Sequence, residues 1–140
     1  MFKGGLDEAI AMLKILSVSE AKKLIENIRT KDPMMADMLS EGMVQLEDLR
    51  FCSAAQLVGL LRDIDLEIFG LALRSVDQVV VDKILSMVST GIKLDIEDGL
   101  RGKPRQISEV EEAQSKVIDI IQKKVNEGTL VLSKDGDEYV

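Results

Sequence analysis

The feature that most restricts this chain is the spacing of its apolar residues, which recur every three or four positions from one end to the other. Ala9, Met12, Leu13 and Leu16 fall on one helical face, and Ala21, Leu24, Ile25 and Ile28 on the next. Ser17 and Glu20 between them have the spacing of a capping box, so a new helix starts there. Asp32-Pro33 opens a third helix, since Asp caps and Pro at the first helical position gives up no needed hydrogen bond. Met34, Met35, Met38 and Leu39 follow as its stripe, and Gly42 marks its end. With only two prolines in 140 residues, little interrupts such helices.

Beyond Gly42 the pattern resumes after a connector, Met43-Val44-Gln45-Leu46. Ser53 can cap a helix carrying Leu57, Leu60 and Leu61. Asp65 can cap one carrying Ile68, Phe69, Ala72 and Leu73. Asp77 can cap a third, with Val80, Ile84, Leu85 and Val88. The β-branched run Val79-Val80-Val81 would suit a strand locally, but the stripe that continues to Val88 favours a buried helix. Ile92, Ile96 and Leu100 define a shorter, charged helix that Gly102-Lys103-Pro104 closes. Ser108 and Glu111 repeat the capping-box spacing ahead of the longest helix, with Val110, Ala113, Val117, Ile120, Ile121 and Val125. Acids at its start and Lys123 and Lys124 near its end complement the helix dipole. Gly128 suits the position after that helix, Thr129–Leu132 reads as a short extended strip, and Lys134-Asp135-Gly136-Asp137 as a turn.

Three short helices in about 40 residues cannot bury their apolar faces alone, so residues 1–44 resemble an armadillo-type unit that stacks on a neighbour. The expected architecture is therefore all-α: an armadillo-like helical repeat unit over 1–44, then a helical bundle over 45–140. The link between them lies at 43–46.

Charge narrows the function. The net charge is −7; six basic and seven acidic groups fall in residues 1–44, leaving twelve and eighteen for the remainder. An acidic surface repels phosphate backbones and anionic lipid, which argues against nucleic acid and favours a partner with basic side chains. Histidine is absent and Cys52 is the one cysteine, which removes most Ser- and Cys-based catalysis and leaves no metal-ligand spacing. Gly4-Gly5 is too short for a phosphate loop. No enzyme, cofactor, metal or small-molecule substrate is expected. Cys52 reads as a small buried hydrophobe. No leader or membrane span is read from the sequence, and the expected location is cytoplasmic.

Several motifs occur in an order that resembles the C-terminal half of the FliG family of flagellar motor switch proteins. Gly4-Gly5-Leu6 before an Ala-rich helix is similar to that family's Gly-Gly-Val opening. Met43-Val44-Gln45-Leu46-Glu47-Asp48-Leu49 resembles its Met-Phe-x-Phe hinge and the Glu-Asp-Leu that follows. Leu61-Arg62-Asp63-Ile64-Asp65 and Leu71-Ala72-Leu73-Arg74 resemble its next two helices. The strongest stretch is Ile107-Ser108-Glu109-Val110-Glu111-Glu112-Ala113-Gln114, and Asp137-Glu138-Tyr139-Val140 has the familiar ending.

The resemblance implies a second armadillo-like domain over 1–44 and a six-helix C-terminal domain over 45–140, with the hinge at Met43, Val44, Gln45 and Leu46. It implies a rotor and switch component of the bacterial flagellar motor (chemotaxis, motility, the C-ring of the basal body), on the cytoplasmic face of the inner membrane. The implied partners are a FliM-like switch protein, the cytoplasmic loop of a MotA-like stator and other FliG-like subunits. Torque would pass through a charged ridge comprising Arg74, Lys93, Glu97, Asp98, Arg101 and Arg105. Met12, Leu16, Leu24, Met34 and Met38 would form a stacking face, left open in this chain and paired with another copy.

Departures accompany the resemblance. Gly91 and Gly99 stand at ridge positions expected to be charged, and glycine inside a helix costs about 0.8–1 kcal/mol relative to Ala. Val44 and Leu46 replace the two expected hinge aromatics. A structural scaffold without torque function is the alternative these losses favour.

Overall fold

The computed structural model describes residues 3–132, and these fold without a strand. The Lys134–Asp137 turn and the Asp137–Val140 ending lie outside the described residues. The chain divides into two compact units, Met1–Val44 and Gln45–Val140, and each is described by itself.

The first unit holds α1 (Lys3–Leu13), α2 (Val18–Arg29) and α3 (Pro33–Glu41). Ser17 accepts from the Glu20 N–H while the Glu20 carboxylate accepts from the Ser17 N–H, which closes the capping box at α2. Asp32 caps α3 by accepting from the Met35 N–H, with Pro33 in the first turn. A small core forms from Leu13, Ala21, Ile25, Ala36 and Leu39, with Leu6, Ala9, Ile10, Leu16, Ile28, Met35 and Met43 packed against it. Arg29 ties α2 to α3 through Asp37 at 2.7 Å. The stripes read from spacing are trimmed here: Met12, Leu24, Met34 and Met38 are exposed rather than core. Three helices of nine to twelve residues enclose too little volume to cover every apolar position.

The second unit opens with a 3-10 turn, Leu46–Phe51, then α4 (Ala54–Leu61), α5 (Leu66–Ala72), a 3-10 turn Leu73–Ser75, α6 (Gln78–Leu85), α7 (Thr90–Leu100) and α8 (Ile107–Asn126). Five α-helices are present among the described residues of this unit, and a sixth is reached only by counting the opening 3-10 turn. Ser53, Asp65, Asp77 and Ser89 cap their helices by accepting backbone N–H groups. The Val79-Val80-Val81 run is helical, with Val80 and Val81 buried and Val79 exposed.

At α8 the start differs from the expected one. The helix begins at Ile107 with Gln106 at the cap and no side-chain cap bond, so Ser108 already lies inside its first turn. Arg105 instead holds Glu109 in an ion pair across that start. The other end of α8 closes on Gly128 at φ +79, where the left-handed backbone favours glycine. The Thr129 N–H donates to Lys124 O and the Gly128 N–H to Val125 O, a Schellman closure. Residues 129–132 form no ladder; Leu130 is buried and the Val131 N–H donates to the Gln56 side chain.

The centre of this unit is α5, where Phe69, Gly70, Leu71 and Ala72 are all buried. It packs chiefly against α7 and then α8. Leu57, Leu60, Leu73, Ile84, Ile96, Val117 and Ile121 complete the interior. Cys52 is buried too; its thiol donates to Leu49 O at 3.2 Å, and burial raises its pKa.

Candidate functional site

The position of α7 is fixed by two glycines. A Cβ built on Gly70 of α5 would lie 2.0 Å from the Ile96 carbonyl oxygen of α7, and one built on Gly99 of α7 would lie 2.0 Å from the Glu67 carbonyl oxygen of α5. The two backbones therefore touch reciprocally, in the manner of the Cα–H to carbonyl contacts found where helices cross at small residues. Gly99 is buried, and no acid could occupy its place. Its expected reading as a missing ridge charge is corrected accordingly: this position belongs to the contact with α5. Gly91, by contrast, is exposed with open space around it, so a charged side chain could stand there.

With Ile96 and Gly99 buried, the opposite side of α7 faces outward. Leu94, Asp98 and Arg101, at i, i+4 and i+7, run along that side and all are exposed. Glu97 flanks them and lies 3.9 Å from Arg101 in a loose ion pair. Lys93 and Asp95 stand on opposite flanks of the helix, both exposed. No ion pair within the described residues engages Lys93, Asp95 or Asp98.

Two of the expected ridge residues are engaged elsewhere. Arg105 pairs with Glu109 at the foot of α8. Arg74 is half-buried, and its Nε donates to Gly99 O at 2.9 Å. Leu94 joins the face without having been expected there. It is 57% exposed, the one large apolar side chain on that side of α7. Its signal is present in the sequence: it lies two positions off the Ile92–Ile96–Leu100 stripe, about 200° around the helix.

The expected hinge residues separate in burial. Leu46 is buried, Met43 packs against the first unit's core, Val44 is half-buried and Gln45 is exposed. The Gln45 N–H donates to the Asp48 carboxylate at 2.9 Å, and Asp48 itself is buried at 5% exposure. Of the expected stacking face, Met12 and Met34 are strongly exposed, Leu24 and Met38 less so, and Leu16 packs against the core. Ile15, at 80% exposure, adds to this set.

Among the described residues, no group of three or more His, Cys, Asp or Glu converges as a metal site, and no helix is long and apolar enough to cross a membrane.

Over residues 26–132 the chain matches the family of FliG C-terminal domains. The flagellar motor switch protein FliG of Borreliella burgdorferi is 28% identical over 138 residues, 98% of this chain and 40% of that protein. FliG of Aquifex aeolicus is 29% identical over 127 residues, 90% of this chain and 39% of that protein. Among solved structures, FliG residues 86–343 from H. pylori superposes with a TM-score of 0.78 at 24% identity, covering 93% of this chain and 62% of that one, which shows the shared fold. Full-length FliG from Aquifex aeolicus gives 0.55 at 30% identity, covering 89% and 39%. The chain spans about 40% of the length of the curated relatives it matches.

Proposed function

From the premise that this chain belongs to the FliG family through its C-terminal domain, we propose that it is a non-enzymatic rotor and switch component of a bacterial flagellar motor. The observation that carries the reading is the outer face of α7: exposed Leu94, Asp98 and Arg101 on a helix anchored behind by main-chain contact. A helix seated this way, with Asp98 on its free side in no ion pair among the described residues, suits repeated docking and release, because charged rims set specificity and on-rate more than affinity. The partner proposed for this face is the cytoplasmic loop of a MotA-like stator, with basic groups opposite Asp95 and Asp98.

The first unit, as an armadillo-like domain, is proposed to bind a FliM-like switch protein or another subunit through Met12, Ile15, Leu24, Met34 and Met38. Exposed methionine adapts well to such surfaces. Val44 and Gln45 are proposed as the pliable part of the hinge, between Met43 and the buried Leu46. Direction switching would then be a change in population between two orientations of α7. The location that goes with this role is the cytoplasmic face of the inner membrane at the basal body.

The test is a binding titration with a stator-loop peptide. Leu94→Gln with Asp98→Asn should weaken binding at least tenfold while the circular dichroism melt stays close to wild type. A second reading, a FliG-like scaffold without torque function, is favoured by the bare surface at Gly91 and by the engagement of Arg74 and Arg105 within the fold. Wild type that binds the peptide no better than the double variant would select the scaffold.

A further inference from the structure

The 3-10 turn Leu73–Ser75, with Ala72 just before it, receives hydrogen bonds from one neighbour and gives one to another. From α8, the Gln114 side-chain amide donates to Ala72 O at 3.1 Å and to the Ser75 hydroxyl. From the turn itself, Arg74 Nε donates to Gly99 O in the last turn of α7. That carbonyl is among the four a helix C-terminus leaves without an internal partner. The rest of the guanidinium lies along the chain beyond the helix, with Nη2 3.6 Å from where a Cβ on Gly102 would stand. A cation at this end also complements the helix dipole.

We propose that Leu73–Ser75 is a clasp joining α7 to α8, with Gln114 as its α8 arm and Arg74 as a positioning residue that holds the C-terminal turn of α7. Arg74 thereby sets where the outer face of α7 points instead of forming part of it. The charged face and its support are different residues, and only the face is available to a partner. This holds whatever partner α7 meets. The geometry explains why the arginine is half-buried although Lys93, Asp95 and Asp98 of α7 are exposed. It also explains why the short turn, which has no side-chain cap of its own, keeps its conformation.

Amide hydrogen exchange on the whole 140-residue chain tests the assignment. The readout is Leu100 and Arg101, whose N–H groups close the last turn of α7. Arg74→Met should speed exchange there about tenfold, with smaller changes in α4 and α6. Arg74→Lys keeps a cation near Gly99 O and should recover most of the protection, a rescue that simple loss of packing would not predict. Gln114→Leu should speed the same α7 amides although the hydrogen bonds of Gln114 run to Ala72 and Ser75 and not to α7. Lys93→Met, an exposed control, should change nothing. The clasp is overturned if Arg74→Met behaves like Lys93→Met, if lysine restores no protection, or if Gln114→Leu leaves the end of α7 untouched.

Discussion

A methyl group on Gly99 would sit 2.0 Å from the Glu67 carbonyl oxygen, far inside van der Waals contact. The obstacle is main chain, which no rotamer change relieves, so Gly99→Ala must push α7 off α5. Overpacking a tight interior costs about 1–3 kcal/mol, and this rigid site belongs at or above the upper end. Gly70→Ala meets Ile96 O in the same way, and one separation of the helices would accommodate both. The double variant should therefore cost clearly less than the two single losses together, as read from urea midpoints. Gly91→Ala should do the opposite. It lies in the first turn of α7 with nothing near it, and should gain up to about 1 kcal/mol from helix propensity. These two glycines look alike in the sequence, both breaking an expected charge pattern. Only knowledge of which side of α7 meets α5 separates a packing device from a bare surface, and that side is chosen by a separate helix, two α-helices back in the chain.

Elements were the most legible scale, because caps are local chemistry. Ser17 with Glu20, Asp32 with Pro33, and Ser53, Asp65 and Asp77 all cap where their side chains can reach the next turn's N–H groups. Ser108 fails although its spacing to Glu111 is right. Arg105 and Glu109 bracket the turn and start α8 earlier, a competition the capping pattern does not contain. The stripe in α7 located its buried side, through Ile96, and so its outer face as well. What spacing did not supply was the engagement of Arg74, whose partner carbonyl is 25 positions away. Between elements, Lys124 near the end of α8 bonds the Asp63 carboxylate after α4, at 2.5 Å. That hydrogen bond, with the charge of Lys124, lowers the Asp63 pKa. A carboxylate whose folded pKa is depressed adds stability that is fully present above its unfolded value, about 3.9, and is lost as pH falls through the lower folded value. The melting temperature of Asp63→Asn should thus lie below wild type at neutral pH, and the gap should close as the pH drops below about 4.

On the scale of the whole chain, the two units have unequal means of standing alone. Residues 45–140 have a well-filled interior around Phe69, including Leu57, Leu60, Leu73, Ile84, Ile96, Val117 and Ile121 at or near zero exposure. Among the described residues of 1–44, five apolar side chains are buried, while Met12, Ile15 and Met34 stand in the open. Below about 40 residues a single core rarely sustains a fold, and this unit is close to that size. A fragment 45–140 should melt cooperatively by circular dichroism, whereas a fragment 1–44 should show a shallow, non-cooperative loss of helix. A sharp transition in the shorter piece would mean that its small core suffices. The all-helical class was readable throughout because periodicity near 3.6 survives any arrangement of the units.

Since α7 is seated on α5 by bare peptide atoms, the residues on its free side carry no duty in holding the helix down. Mutational drift can reverse, erase or add charges there at little expense in fold, so the docking proposed for this face could be retuned one substitution at a time. A library randomised at Leu94, Asp98 and Arg101 should accordingly yield mostly soluble, folded members.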